Sequence, residues 1–184
     1  CPMKKMTVFL LAMLLMFSAA ALADSTEMTT EDQMKNMVQN FLDENKYPYD
    51  YDDYTFSMQF AIDGALESAY VTVYVYDDML AVSVDAPIAG GADVFEKMAV
   101  FTTLANDDVF YAQFRVSRDD DEIYISCRSC NLVEDVVPGE NELYYLINEP
   151  LRYMELYGLG IKQVLDGGDP YQAYEACMAA VEAE

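Results

Sequence analysis

Residues 69–85 read AYVTVYVYDDMLAVSVD, and no other stretch limits the architecture of the chain so sharply. Val71, Val73 and Val75 alternate with Tyr70, Thr72, Tyr74 and Tyr76, and beyond Asp77-Asp78 the same period resumes with Leu80, Val82 and Val84. A period of two with β-branched and aromatic residues is the pattern of half-buried strands. The acidic pair between the two runs suits a tight turn. Upstream, TFSMQFAI puts Phe56, Met58 and Phe60 on one face. Successive strands with short links form an antiparallel meander, whose apolar face must be covered by other elements.

Helical periodicity supplies those elements. In TTEDQMKNMVQNFLDEN, Met34, Met37, Val38, Phe41 and Leu42 form one stripe, with Thr30 and Gln33 as the expected capping box. A second helix is expected after Asp93, carrying Val94, Met98, Phe101 and Ala105. The alternation then resumes. VFYAQFRV aligns Phe110, Ala112, Phe114 and Val116, the turn SRDDDE follows, and EIYISCRSC aligns Ile123, Ile125 and Cys127. From Asn141 to Leu165 the pattern is helical, with an interruption or kink expected at Pro150. Asp169-Pro170 reads as a cap and first-turn proline for a last helix bearing Tyr174, Cys177, Met178 and Val181. The expected class is α+β: an antiparallel sheet of about five strands in the order α-β-β-β-α-β-β-α(-α), built as one domain over residues 24–184.

Residues 1–23 stand apart. Lys4-Lys5, the apolar TVFLLAMLLMF and the small SAAALA make a basic start, an apolar centre and an A-x-A-like end at Ala21-Leu22-Ala23. We read them as a signal peptide, with Cys1-Pro2 as a spurious extension ahead of Met3. Val8 to Leu22 is shorter than the roughly 20 apolar residues a spanning helix needs. The expected destination is therefore exported, periplasmic or extracellular, with no membrane association after cleavage. The whole chain carries 10 basic and 33 acidic residues, a net −23; the first 23 residues hold two lysines and no acid, so the remainder has eight basic residues and a net −25. Such a charge repels phosphate and disfavours nucleic acid as a partner.

The order and local patterns resemble the YbjN family, whose fold is similar to that of type III secretion chaperones. LANDDVFYAQFRVSRDDDEIYIS looks like the family segment in which a helix ends near an asparagine and an acidic turn leads into a strand. INEPLRYMELYGLGIKQVLDGG looks like its proline-containing helix with a Tyr-Gly step, and VTVYVYDDMLAVSVDAPI like its central hairpin. The likeness spans roughly residues 28–182. It implies a non-enzymatic binding or chaperone-like module, often a homodimer, with no functional residues to carry over. The export signal is a departure, since many members look cytoplasmic.

The residues bear on function mainly by exclusion. There is no histidine, which removes Ser-His-Asp and Cys-His catalysis and histidine metal sites. No phosphate-binding glycine motif is present: Gly158-Leu159-Gly160 lacks a third glycine at position 163. No catalytic residue, cofactor or metal site is expected. Cys127 and Cys130 invite a thiol-disulfide reading. On a strand, however, three residues span about 10 Å, against Cα separations of about 4.4–6.8 Å in disulfides, and the odd spacing sends the side chains to opposite faces. Outside the cytoplasm Cys127 and Cys177, both on apolar faces, are the candidate disulfide. The clusters YDYDD and RDDDE lack the spacing of a calcium loop, which leaves cation binding by the acidic surface as a weaker alternative. Tyr70, Tyr74, Tyr76, Tyr111 and Tyr124 fall on the polar side of the strands and form the candidate surface for an unknown protein partner, together with the second helix.

Overall fold

The computed structural model describes residues 28–133 and 136–182. The signal segment and the cleavage point lie outside the described residues. Helix α1 (Thr30–Glu44) is followed by β1 (Asp50–Asp52), β2 (Thr55–Ala61), β3 (Ser68–Val75), β4 (Met79–Asp85) and the short β5 (Gly90–Gly91). A 3-10 turn (Ala92–Val94) enters α2 (Phe95–Asn106); β6 (Gln113–Asp119), β7 (Glu122–Leu132), α3 (Glu140–Leu165) and α4 (Pro170–Glu182) complete the order.

The sheet has seven strands, every pair antiparallel, against the five expected. Five long strands run β2-β3-β4-β7-β6, as the alternation requires; β1 and β5 are short additions of three and two residues that no periodicity could reveal. β7 is central, pairing Asp85 to Met79 of β4 with its residues Ser126 to Leu132, and Gln113 to Asp119 of β6 with Arg128 to Glu122.

One face of the sheet is covered. Phe56, Met58, Val71, Val73, Val75, Leu80, Val82, Val84, Phe114, Ile123, Ile125 and Cys127 point into the core. Against them pack Met34, Val38, Phe41 and Leu42 of α1, Met98, Phe101 and Ala105 of α2, and the long apolar stripe of α3. α4 lies against α3 and α2, as an outer layer.

The helix ends show where local expectation shifts. The cap of α1 is Thr29, not Thr30: its Oγ1 accepts the N–H of Asp32 at 3.1 Å, while Gln33 Nε2 donates to the Met28 carbonyl. Asp93 does not cap α2, because the 3-10 turn precedes that helix and no side chain caps it. Asp169 does cap α4, with Oδ1 accepting from Tyr171 and Gln172 N–H at 3.1 and 3.0 Å. On α4 Pro170, Ala173 and Cys177 are buried, whereas Val181 is exposed.

Pro150 does not interrupt α3, which runs unbroken from Glu140 to Leu165. Proline has no N–H, so the carbonyl of Leu146 loses its helical partner. Ser129 of β7 replaces it, donating its Oγ to Leu146 O at 2.6 Å. Ser129 is buried, only 4% exposed, where sheet and helix meet. Ser129→Ala should cost about 1–3 kcal/mol, the range for a buried polar group left alone. In a Pro150→Ala background the restored N–H takes Leu146 O, so the same change should cost clearly less. Urea denaturation of the four-member cycle measures the difference.

Candidate functional site

The uncovered sheet face is read from the strand registers. One row runs Gln59, Tyr70, Asp85, Ser126, Arg115; the next Ser57, Thr72, Ser83, Arg128, Gln113; a third Thr55, Tyr74, Ala81, Cys130. Tyr76, Met79 and Leu132 lie beyond it at the end of the β3-β4 hairpin, where Tyr76 N–H bonds Met79 O. All five tyrosines expected on the polar side are here or at its edge; Tyr70, Tyr76, Tyr111 and Tyr124 are exposed and Tyr74 is half-buried. Tyr124 stands apart from the others, its hydroxyl bonded to Glu122 at 2.6 Å, which pushes its pKa up. The second helix, the other expected contact surface, buries its apolar stripe inward and shows solvent chiefly Glu96, Lys97, Val100 and Thr103.

Phe110 corrects the alternation. It was expected on the core face with Phe114, but it is 85% exposed, and Tyr111 beside it is 77% exposed. Pairing of β6 with β7 starts only at Gln113, so Val109 to Ala112 have no strand partner that would turn Phe110 inward.

These residues enclose a cleft of about 550 Å³. Tyr74 and Tyr76 form one wall, their rings parallel within 4° at 6.2 Å between centroids. Phe110 and Tyr111 form the other, and Ser83, Arg115, Arg128 and Cys130 belong to the floor. Among the described residues no acidic side chain lines the cleft, although the chain has 33 of them. Neither arginine takes part in a salt bridge among the described residues, where the pairs are Lys35–Glu31 and Arg152–Glu149. Ser83 is only 1% exposed, yet its hydroxyl makes no hydrogen bond of acceptable geometry among the described residues. It lies close enough to Asp85, with Arg128, to favour the charged carboxylate, but burial outweighs both and the Asp85 pKa is raised.

A raised carboxyl pKa means that the native state holds a proton the unfolded chain has already lost. Stability from this source is present at low pH and is lost as pH rises through the ordinary carboxylate range to the raised value. Asp85→Asn should therefore raise the melting temperature at pH 7 and change it little at pH 3.5, which a paired thermal scan would measure.

Sequence reasoning anticipated the two faces of β7. The strand continues to Leu132; Cys127 is buried and Cys130 is exposed on the opposite side. The redox-dithiol geometry therefore does not form in this strand. The candidate disulfide does not form either, since Cys127, Cys130 and Cys177 are all free thiols. Cys177 is on α4, against Gly160 of α3, whereas Cys127 is on the sheet beneath the helices, and α4 packs mainly on α3 and α2 rather than on β7. Burial raises both thiols, that of Cys127 to about 12, so neither is a ready nucleophile. Neither acidic cluster converges: among the described residues no group of three carboxylates or thiols could hold a metal ion. Sequence reasoning missed Ser83, Arg115 and Arg128. Their alternation placed them on the polar face, but only the register shows them side by side.

The edges of the sheet are blunted. β1 is three residues long and acidic. At β6 the Asn106 side chain donates to Phe114 O at 3.0 Å and accepts Phe114 N–H at 2.7 Å, occupying the outward backbone groups that a further strand would use.

An antiparallel sheet with helices on one side and an aromatic cleft on the other defines an α+β scaffold with a single open face. Among solved structures the chain is similar to YbjN from E. coli, described as a proposed transcription regulator: TM-score 0.53 and 9% identity, covering 66% of this chain and 86% of that one. At that identity the likeness is one of fold. No family model matches the chain, and no curated protein matches it by sequence.

Proposed function

We propose that the protein is an exported, non-enzymatic binding module of YbjN-like fold that holds a protein partner against the open face of its sheet. The observation that carries this reading is the cleft between Tyr74-Tyr76 and Phe110-Tyr111. On the uncovered sheet face it sets the exposed Phe110 and Tyr111 opposite Tyr74 and Tyr76, above polar and basic side chains, whereas exposed tyrosines such as Tyr51, Tyr145 and Tyr171 lie on β1 and the helices. Exposed aromatic clusters of this kind are enriched at recognition surfaces. The lack of histidine removes Ser-His-Asp and Cys-His chemistry, and among the described residues the buried thiols Cys127 and Cys177 are held protonated, so binding is the reading favoured here. Export rests on the Lys4-Lys5 start, the apolar run and Ala21-Leu22-Ala23.

The test is site-directed photo-crosslinking in the producing organism. A photoreactive phenylalanine analogue at Tyr111 should give a discrete adduct, and the same analogue at exposed Tyr171 on α4 should not. Adducts of equal yield at both positions, or none at Tyr111, would exclude the open face as the docking surface. The intact mass of the captured chain reports cleavage before Asp24 in the same experiment.

A further inference from the structure

The floor of the cleft has a chemistry that its aromatic walls do not explain. Arg115 and Arg128 project from β6 and β7 on the same face, as diagonal neighbours in the ladder: Arg128 is opposite Gln113, and Arg115 is opposite Ser126. Diagonal positions bring long side chains within reach of a common group. Both lack a salt-bridge partner among the described residues of a chain with net charge −23. Beside them Ser83, on β4 opposite Arg128, keeps a buried hydroxyl that makes no well-formed hydrogen bond, its carboxyl neighbour on the same face being Asp85, which burial biases toward its protonated form. An unpartnered buried hydroxyl costs free energy unless a ligand group meets it. Two guanidinium groups and a hydroxyl together make a receptor for a carboxylate, whose two oxygens accept from the planar fork of arginine.

The walls indicate what carries the carboxylate. β3, which carries Tyr74, and β6, which Tyr111 precedes, are separated by β4 and β7, three inter-strand steps or about 14 Å. An α-helix with its side chains is about 10–12 Å across and fits that span. Resting on the reading of the open face as a docking surface, we propose that the occupant is an acidic amphipathic helix of a partner protein. Its apolar side lies on Tyr74, Tyr76, Phe110 and Tyr111, and a glutamate or aspartate side chain enters between Arg115 and Arg128 to meet Ser83. The occupant is acidic although the protein is too, because the cleft is a local exception to the charge of the surface. Elsewhere the two partners repel, so the contact is restricted to this face.

Fluorescence anisotropy with two labelled, helix-forming peptides tests this. Both have a Leu/Phe face; one carries glutamates beside it and the other glutamines at the same positions. The full chain should bind the glutamate peptide at least about tenfold more tightly, as expected for charge-assisted hydrogen bonds. The preference should shrink as sodium chloride rises from about 50 to about 500 mM. Arg115→Gln with Arg128→Gln should abolish the preference while leaving the melting transition in place, and Phe110→Ser with Tyr111→Ser should weaken both peptides alike. Equal binding of both peptides, unchanged by the arginine substitutions, overturns the carboxylate receptor and leaves the open-face reading standing. Binding that ignores Phe110→Ser with Tyr111→Ser overturns the open-face reading itself. A dimer of the chain that neither peptide displaces in sedimentation makes a second copy the occupant and overturns the proposal.

Discussion

Tyr157→Ala should destabilise the protein by about 3–5 kcal/mol, the range for truncating a buried aromatic residue. Tyr157 is fully buried in the middle of α3 and touches three other aromatic rings. Phe101 of α2 meets it edge-on at 6.3 Å, Phe114 of β6 edge-on at 5.4 Å, and Tyr174 of α4 lies nearly parallel at 6.4 Å. It thus joins the sheet and three helices through one ring. Its hydroxyl donates to Asp108 Oδ2 at 3.2 Å, and the Tyr174 hydroxyl donates to the same oxygen. Burial first, and then the Asp108 carboxylate, raise the Tyr157 pKa; the hydrogen bond to Asp108 leads for Tyr174, whose pKa is pushed up to about 12. Both phenols therefore stay protonated and keep donating across the physiological range. Tyr157→Phe keeps the rings together and loses one hydrogen bond, so it should cost only about 1 kcal/mol. Denaturant midpoints of the two variants separate packing from hydrogen bonding. Equal losses would show that the hydroxyl, not the ring, organises the junction.

The second large effect is expected at Gly160, one turn further along α3. Replacing a helical glycine by alanine ordinarily gains about 1 kcal/mol of helix propensity. Here a Cβ would sit 2.4 and 2.5 Å from Phe101 Cε2 and Cζ and 2.9 Å from Cys177 Sγ. Phe101 and Cys177 are both fully buried, so neither has room to retreat. The steric term wins: Gly160→Ala should destabilise by about 1–3 kcal/mol, and Gly160→Val by more. Cys177→Ala removes the sulfur but not the phenyl ring, so it should relieve only part of the loss in the double variant. Full rescue would place the clash on the sulfur alone. Gly160 thus lets α3 approach α2 and α4 closely, a role that helix propensity does not convey.

The likeness to YbjN concerns architecture at 9% identity, so partner chemistry has to come from this chain's own residues. Those residues concentrate on one surface. β1 is short and acidic, Asn106 occupies the outward backbone groups of Phe114 on β6, and the helices cover the opposite face. The open sheet face carries a strip of aromatic rings over two arginines and a serine.

The long strands, the helices and the one-sided burial were legible from residue periodicity, because a strand or helix with one apolar face repeats its pattern in the sequence. The opposite orientation of Cys127 and Cys130 was legible for the same reason. Elements without a period were not: β1 and β5 owe their existence to the neighbours they pair with, and Phe110 lies outside the ladder its pattern suggested. Pro150 stays inside α3 because Ser129, 21 residues earlier, supplies the missing partner for Leu146. By itself the sequence determined the class of fold, the faces of the strands and the absence of histidine chemistry, since each depends on local pattern or composition. Only the tertiary structure decided that Ser83, Arg115 and Arg128 lie side by side and that Cys127 and Cys177 remain apart. Those outcomes depend on strand register and helix layering, which arise from long-range packing and leave no periodic trace in the chain.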